Sequence, residues 1–121
     1  MSLSTRYAAL GAVALLLLQP LWHAWLAPPA VLAPAWATAL GALPILPAVV
    51  LFALRHRRAA YWAAVASLLY FCHGIMEAWS DRSVWPLGLA ESALATWVIV
   101  AYGWDGLRAR RARKAAAAPP V

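Results

Sequence analysis

The chain has 121 residues, of which 65% are hydrophobic and only 12% are charged. A soluble domain of this length carries roughly twice that charged fraction, so too little polar surface remains to cover a water-soluble core. The net charge of +6 comes from short basic runs beside long apolar segments, a distribution that argues against nucleic-acid binding. The sequence lacks the CxxC, CxxCH, P-loop, GxSxG and HExxH motifs, so we expect no enzymatic activity and no cofactor.

Apolar runs of about twenty residues, enough to cross a bilayer, follow one another along almost the whole chain. They predict an all-α polytopic membrane protein with four transmembrane helices in an up-down bundle, at about residues 6–26, 34–54, 60–79 and 85–104. The bundle is predicted to form one domain over residues 1–114, followed by a flexible Ala/Pro tail over residues 115–121. A cleaved signal peptide is the alternative for the first run, but Pro20, Trp22 and His23 stand where a small-residue cleavage site is needed.

The basic residues predict the orientation of the spans. Nine of the ten Lys and Arg residues fall on one side of the predicted bundle, and only Arg82 falls on the other. The positive-inside rule then places both termini in the cytoplasm, and Trp and Tyr residues near most span ends agree with these boundaries. Among the Trp and Tyr residues within the spans, only Tyr70 and Trp97 lie in mid-span.

Basic residues after the fourth span are expected to extend its helix and to contact anionic lipid headgroups. They are Arg108, Arg110, Arg111, Arg113 and Lys114. Asp105, just before this cluster, is expected to pair with a nearby arginine.

Two kinds of residue are expected to shape helix packing. Pro44 and Pro47 leave the carbonyls of Leu40 and Leu43 without their usual partners and predict a kink in the middle of the second span. Small residues spaced by four allow helices to approach closely, either within one chain or in a homodimer. These pairs are Ala37 with Gly41, Ala63 with Ser67, and Gly88 with Ser92.

Four ionisable side chains lie inside the spans, where such groups are costly and mark candidate sites. His73 and Glu77 are four residues apart in the third span, so they share one helix face. At a rise of about 1.5 Å per residue, His73 lies about 9 Å from the outer end of its span and Glu91 lies about 10 Å from the outer end of the fourth. His23, about 5 Å from the outer end of the first span, completes the candidate polar or proton-relay site.

Several stretches resemble a known family. They are Leu21-Trp22-His23 with Ala27-Pro28-Pro29, Leu43-Pro44-Ile45-Leu46-Pro47, and the run from Leu69 to Ser80 followed by Glu91. Over about residues 15 to 110 the chain resembles a proteobacterial family of small four-span predicted inner-membrane proteins, classed as a domain of unknown function. The resemblance implies a bacterial inner-membrane location and assigns no activity to any residue.

Three functions remain open at this point. The first is a non-enzymatic accessory or scaffold protein acting through its helices, as a homo-oligomer or within a larger membrane complex. The second is a proton-coupled transporter or channel subunit using the outer-leaflet His/Glu cluster. The third is a metal- or haem-binding membrane protein, with two histidines and two carboxylates as ligands, although no second short-spaced ligand pair supports a metal site.

Overall fold

Five α-helices and one π-helical segment follow one another in the described residues, with proline or a capping hydroxyl at the start of several helices. The computed structural model describes residues 2–29 and 31–120, which form helices and turns. Helix α1 spans Leu3–Pro20 and continues as a π-helical segment over Leu21–Leu26; α2 spans Pro34–Ala42, α3 Leu46–Ala53, α4 Ala59–Ser80 and α5 Trp85–Ala117. The Ser2 hydroxyl caps α1 by accepting a hydrogen bond from the Thr5 N–H.

Several of these helices meet the requirements for crossing a membrane. Leu3–Leu26, Ala59–Ser80 and Trp85–Ala117 are each long and apolar enough, and α2 and α3 pass the same test together although they are bent by 60°. The prediction of a helical chain with apolar helices that can span a membrane is confirmed. Three helices are long and apolar enough to cross, or four if α2 and α3 count as one span.

The predicted kink lies between α2 and α3, where residues 43–45 form a turn rather than a bent helix. Pro44 has no N–H to donate, and the Tyr70 hydroxyl of α4 enters the gap. This hydroxyl donates to the Gly41 carbonyl at 2.5 Å and accepts from the Ile45 N–H at 3.2 Å. Gly41 and Ile45 are four residues apart, so the tyrosine takes the place of one helical hydrogen bond and stabilises the break.

Glycine allows α4 and α5 to cross in close contact. A Cβ atom at Gly74 would collide with the Gly88 carbonyl oxygen and the Ser92 hydroxyl, and one at Gly88 would collide with the Gly74 carbonyl oxygen. The Ser92 hydroxyl also donates to the Phe71 carbonyl across 2.9 Å. The predicted pair of Gly88 and Ser92 therefore serves packing within the chain.

The apolar core lies where α1, α3, α4 and α5 meet. Most of its members are small or branched side chains, which let the helices pack side by side. They include Ala8, Ala12, Leu15, Ile45, Ala48, Ala63, Ala95 and Val98, all at most 1% exposed. The predicted small-residue pair of Ala63 and Ser67 is likewise fully buried within the chain.

Helix α3 ends in a left-handed turn. Arg55 has a φ of 54°, its N–H donates to the Phe52 carbonyl, and the His56 N–H donates to the Leu51 carbonyl. This is the Schellman arrangement, in which glycine usually occupies the left-handed position. Arginine there leaves the turn strained.

Helix α5 continues well beyond its apolar part. The basic cluster is helical as expected, and residues 115–117, assigned to the flexible tail from sequence, are also helical; Val121 lies outside the described residues. The interpretation of Asp105 as the partner of an arginine is wrong in the described part of the chain, where its carboxylate accepts a hydrogen bond from the Ser2 hydroxyl at 2.8 Å.

The turn between α4 and α5 is organised around Asp81. The Ser83 hydroxyl and the Ser83 N–H both donate to Asp81 Oδ1, at 2.6 and 2.9 Å. These hydrogen bonds to the ionised form lower the pKa of Asp81 from its ordinary value.

Candidate functional site

The His73 and Glu91 side chains meet across the interface between α4 and α5. His73 Nδ1 lies 2.9 Å from Glu91 Oε1, which is hydrogen-bond distance. With Glu91 ionised the imidazole N–H donates, and with a proton on Oε1 the carboxyl group donates to the ring nitrogen. The close approach of the helices at the neighbouring Gly74 places the two groups within reach.

The same imidazole lies near Glu77 on its other side. His73 Nε2 is 3.7 Å from Glu77 Oε1, too far for a hydrogen bond but close enough for an ion pair when the ring is protonated. The Glu77 side chain is 32% exposed and the His73 side chain 38% exposed, whereas Glu91 is fully buried. The pairing expected from the spacing of four is thus present, but the tighter contact joins two helices.

Glu91 has one carboxyl oxygen without a partner. Its Oε2 is buried, and no hydrogen bond to it forms within the described residues. A buried carboxylate is costly unless it is paired, and the His73 imidazole is the partner that the described residues provide. Oε2 is the atom of this pair that remains open to a further hydrogen-bond donor.

The π-helical segment after α1 brings Trp22 to this pair. Pro20 stands just before the segment, and the Ala27 N–H donates to the Trp22 carbonyl five residues back. Trp22 is only 2% exposed. Its ring stacks on His23 with centroids 5.2 Å apart and lies against His73 with centroids 5.5 Å apart.

Trp22 therefore lies in contact with both His23 and His73. The described residues show no hydrogen bond or ion pair between His23 and the other three predicted site residues, and its ring lies beside Gly41 of α2. The structure brings His73, Glu77 and Glu91 together, whereas His23 stacks on Trp22 beside them.

Two polar residues near this site were missed by the sequence analysis. Gln19 is 1% exposed, and its amide donates to the Leu15 carbonyl at 3.2 Å. Tyr70 is 4% exposed and spans the α2–α3 break. The sequence carried a signal for Tyr70, since it is one of two Trp or Tyr residues in mid-span, away from the membrane interfaces where tyrosine usually lies.

The geometry bears on the metal and haem alternatives. The described residues contain no group of three or more His, Cys, Asp or Glu side chains placed to hold a metal ion. Ligation of one iron by His23 and His73 needs both rings to face a common point, but Trp22 packs against both of them. The described residues therefore do not present the ligand set of a metal site.

Apolar helices of membrane-crossing length, with polar side chains paired between them, define a helical membrane protein. The chain belongs to the family described as predicted membrane protein, DUF2069, whose model matches residues 7–105. No curated protein and no solved structure matches the chain. The family resemblance seen in the sequence is confirmed, and the family is one of unknown function.

Proposed function

We propose that the protein is a non-enzymatic accessory or scaffold protein of the bacterial inner membrane, with four spans and both termini in the cytoplasm. In this arrangement α2 and α3 form one broken span. The basic residues in the first turn of α1, between α3 and α4, and along the end of α5 then share the cytoplasmic side.

The observation that carries the proposal is that several polar side chains of the apolar helices bond other helices of the same chain. The Tyr70 and Ser92 hydroxyls donate to backbone carbonyls of neighbouring helices, and the Trp97 indole N–H donates to the Tyr7 carbonyl at 2.8 Å. Polar contacts of this kind specify which membrane helices pair. They leave apolar faces as the surface available for contacts outside the chain.

One of these faces is concave. A groove of about 770 Å³ lies beside the α2–α3 break, between α3 and α4. It is lined almost wholly by apolar atoms, among them those of Pro47, Trp62, Val65 and Leu69. A transmembrane helix of a partner, or of a second copy of this chain, fits such a face through van der Waals packing.

Photo-crosslinking in native membranes tests this proposal. A photoreactive residue at Val65 in the groove should give a discrete protein adduct, while the same residue at the exposed position Leu10 of α1 should give lipid adducts. Leu69→Trp, which fills the groove, should remove the Val65 adduct. Lipid adducts alone at both positions would contradict the proposal.

Fusions of a periplasmic reporter enzyme after Val84 and after Ala117 test the orientation separately. The reporter should be active after Val84 and inactive after Ala117. The reverse pattern, or activity at both sites, would exclude cytoplasmic termini with four spans.

A second function is favoured by the unpartnered Glu91 Oε2. A buried carboxyl group hydrogen-bonded to a half-exposed histidine, with a second carboxylate nearby, is the arrangement of a proton site reached from the outer face. In that case the protein is a proton-coupled transporter or channel subunit.

Proteoliposomes separate the two proposals. For the proton-site function, proton flux driven by a potassium diffusion potential should exceed that of protein-free vesicles and should fall to their level with Glu91→Gln. For the accessory function, wild-type flux equals that of empty vesicles, and His73→Ala with Glu91→Gln retains the Val65 adduct in membranes. Flux that Glu91→Gln leaves unchanged would exclude Glu91 as the proton carrier.

A further inference from the structure

A groove at the other end of the bundle combines apolar walls with two opposite charges. It has a volume of about 590 Å³ and opens between the first two turns of α1 and residues 97–108 of α5. Leu3, Tyr7, Trp97, Val100 and Trp104 supply apolar wall surface. Asp105 and Arg108, beyond the apolar part of α5, lie at its polar end together with Ser2 and Ser4.

The floor of this groove is held in place. The Trp97 indole N–H donates to the Tyr7 carbonyl at 2.8 Å, and the two aromatic rings meet edge to face with centroids 5.7 Å apart. Gly11 lets the indole lie close to α1, since a Cβ atom there would stand 2.7 Å from Trp97 Cδ1. A preformed aromatic wall reduces the ordering that a ligand has to impose.

Asp105 and Arg108 lie near each other at the polar end of the groove, and the described residues show no ion pair within 4 Å between them. Asp105 Oδ2 accepts a hydrogen bond from the Ser2 hydroxyl at 2.8 Å, and hydrogen bonding to the Ser4 and Ser2 hydroxyls lowers the pKa of Asp105, so the group is ionised at neutral pH. Among the described residues, the ion pairs are those of His73, so neither Asp105 nor Arg108 is neutralised by an opposite charge in contact. One anion and one cation therefore remain available at the mouth of an apolar groove.

We propose that this groove binds a phospholipid with a phosphoethanolamine headgroup, its phosphate on Arg108 and its ammonium group on Asp105. A guanidinium binds phosphate oxygens through paired N–H donors, and an ammonium group donates charge-assisted hydrogen bonds to a carboxylate. A purely anionic headgroup would satisfy Arg108 but would bring its charge next to Asp105. A trimethylated headgroup has no N–H to donate to the carboxylate.

The dimensions agree with a headgroup and the upper part of an acyl chain. Arg108 and Trp97 are eleven positions apart on a continuous helix, a distance of about 16 Å along its axis. The charged end lies at the boundary where the apolar part of α5 stops, which is the depth of lipid headgroups. The aromatic walls lie deeper, along the path of an acyl chain.

Native mass spectrometry of the full-length protein in detergent tests the assignment. Phosphatidylethanolamine, phosphatidylglycerol and phosphatidylcholine of identical acyl chains are added in separate titrations. The ethanolamine lipid should bind about tenfold more tightly than either other lipid, and Asp105→Asn and Arg108→Gln should each remove that preference. Arg110→Gln changes the same basic cluster outside the groove and should leave the preference unchanged.

Two further variants distinguish a loss of lipid preference from a folding defect. Ser2→Ala removes the hydrogen bond to Asp105 but keeps the carboxylate, so the ethanolamine preference should persist. Val100→Trp fills the groove and should reduce binding of the ethanolamine lipid while the melting temperature stays near that of the wild type. Equal binding of the three lipids by the wild type, or an Arg110→Gln effect as large as that of Arg108→Gln, would overturn the proposal.

Discussion

The Tyr70 hydroxyl is the group on which the α2–α3 break depends, and removing it should destabilise the protein. Tyr70→Phe deletes two hydrogen bonds, to the Gly41 carbonyl and from the Ile45 N–H, and leaves a ring that is only 4% exposed in its place. The Ile45 N–H keeps a hydrogen bond to the Ala42 carbonyl at 3.2 Å, so the substitution affects the Gly41 carbonyl more than the Ile45 N–H. Hydrogen bonds between membrane helices contribute about 0.6 kcal/mol on average and about 1.7 kcal/mol at most.

Two such bonds give an expected loss of about 1–2 kcal/mol in the free energy of unfolding. Steric-trapping or denaturant unfolding in bicelles measures it, with Tyr61→Phe as the control, because the Tyr61 hydroxyl makes no hydrogen bond within the described residues. Spin labels on α2 and α3 should also report an altered bend. Equal stabilities of Tyr70→Phe and Tyr61→Phe would refute the reasoning, since the inserted hydroxyl would then contribute nothing.

Three other substitutions have defined outcomes. Gly74→Ala should lower the free energy of unfolding by about 1–3 kcal/mol through overpacking against backbone, whereas Gly103→Ala, whose added Cβ meets nothing within 4 Å, should be neutral or stabilising. Arg55→Gly should raise the free energy of unfolding by about 0.5–1 kcal/mol, because glycine relieves the strain of the left-handed turn. Arg57→Gly removes the same charge nearby and should not raise it. Because the pKa of Asp81 is lowered on folding, its stabilising effect is present above the ordinary value of 3.8 and is lost as pH falls through the lowered value. The difference in melting temperature between wild type and Asp81→Ala should therefore shrink on acidification; a difference constant with pH would contradict this.

The sequence was sufficient to predict the features that depend on the length, composition and backbone chemistry of each segment. The apolar stretches, the break at Pro44 and the close-packing pair of Gly88 and Ser92 all follow from such local properties. Rotation about each helix axis is not local, because it depends on the complete packing of the bundle. Depth alone placed His23 and Glu91 in the same leaflet, but only the structure shows that Trp22 lies against the His23 ring and that Glu91 is the buried partner of His73.

The partners of Tyr70 and Asp105 were hidden for a related reason. Each bonds a group distant in sequence, the Gly41 carbonyl in one case and the Ser2 hydroxyl in the other. A tyrosine in mid-span, such as Tyr70, indicates a buried hydrogen-bond partner but does not identify it. The position of Asp105 beside the arginine cluster suggests an ion pair that does not form in the described residues.

The burial of Glu91 and the close contact of α4 with α5 are consequences of one crossing point. Gly74 and Gly88 remove the side chains that would hold the helices apart, and His73 and Glu91 lie immediately beside them. One oxygen of Glu91 bonds His73, and the buried Oε2 has no hydrogen-bond partner among the described residues. The bond between His73 and Glu91 holds the two helices in register, and the second oxygen is the atom that the proposed proton-site function would use. The two proposed functions therefore differ in whether Glu91 carries a proton. Glu91→Gln keeps the shape of the side chain and removes its carboxyl group, so it is the substitution that separates them.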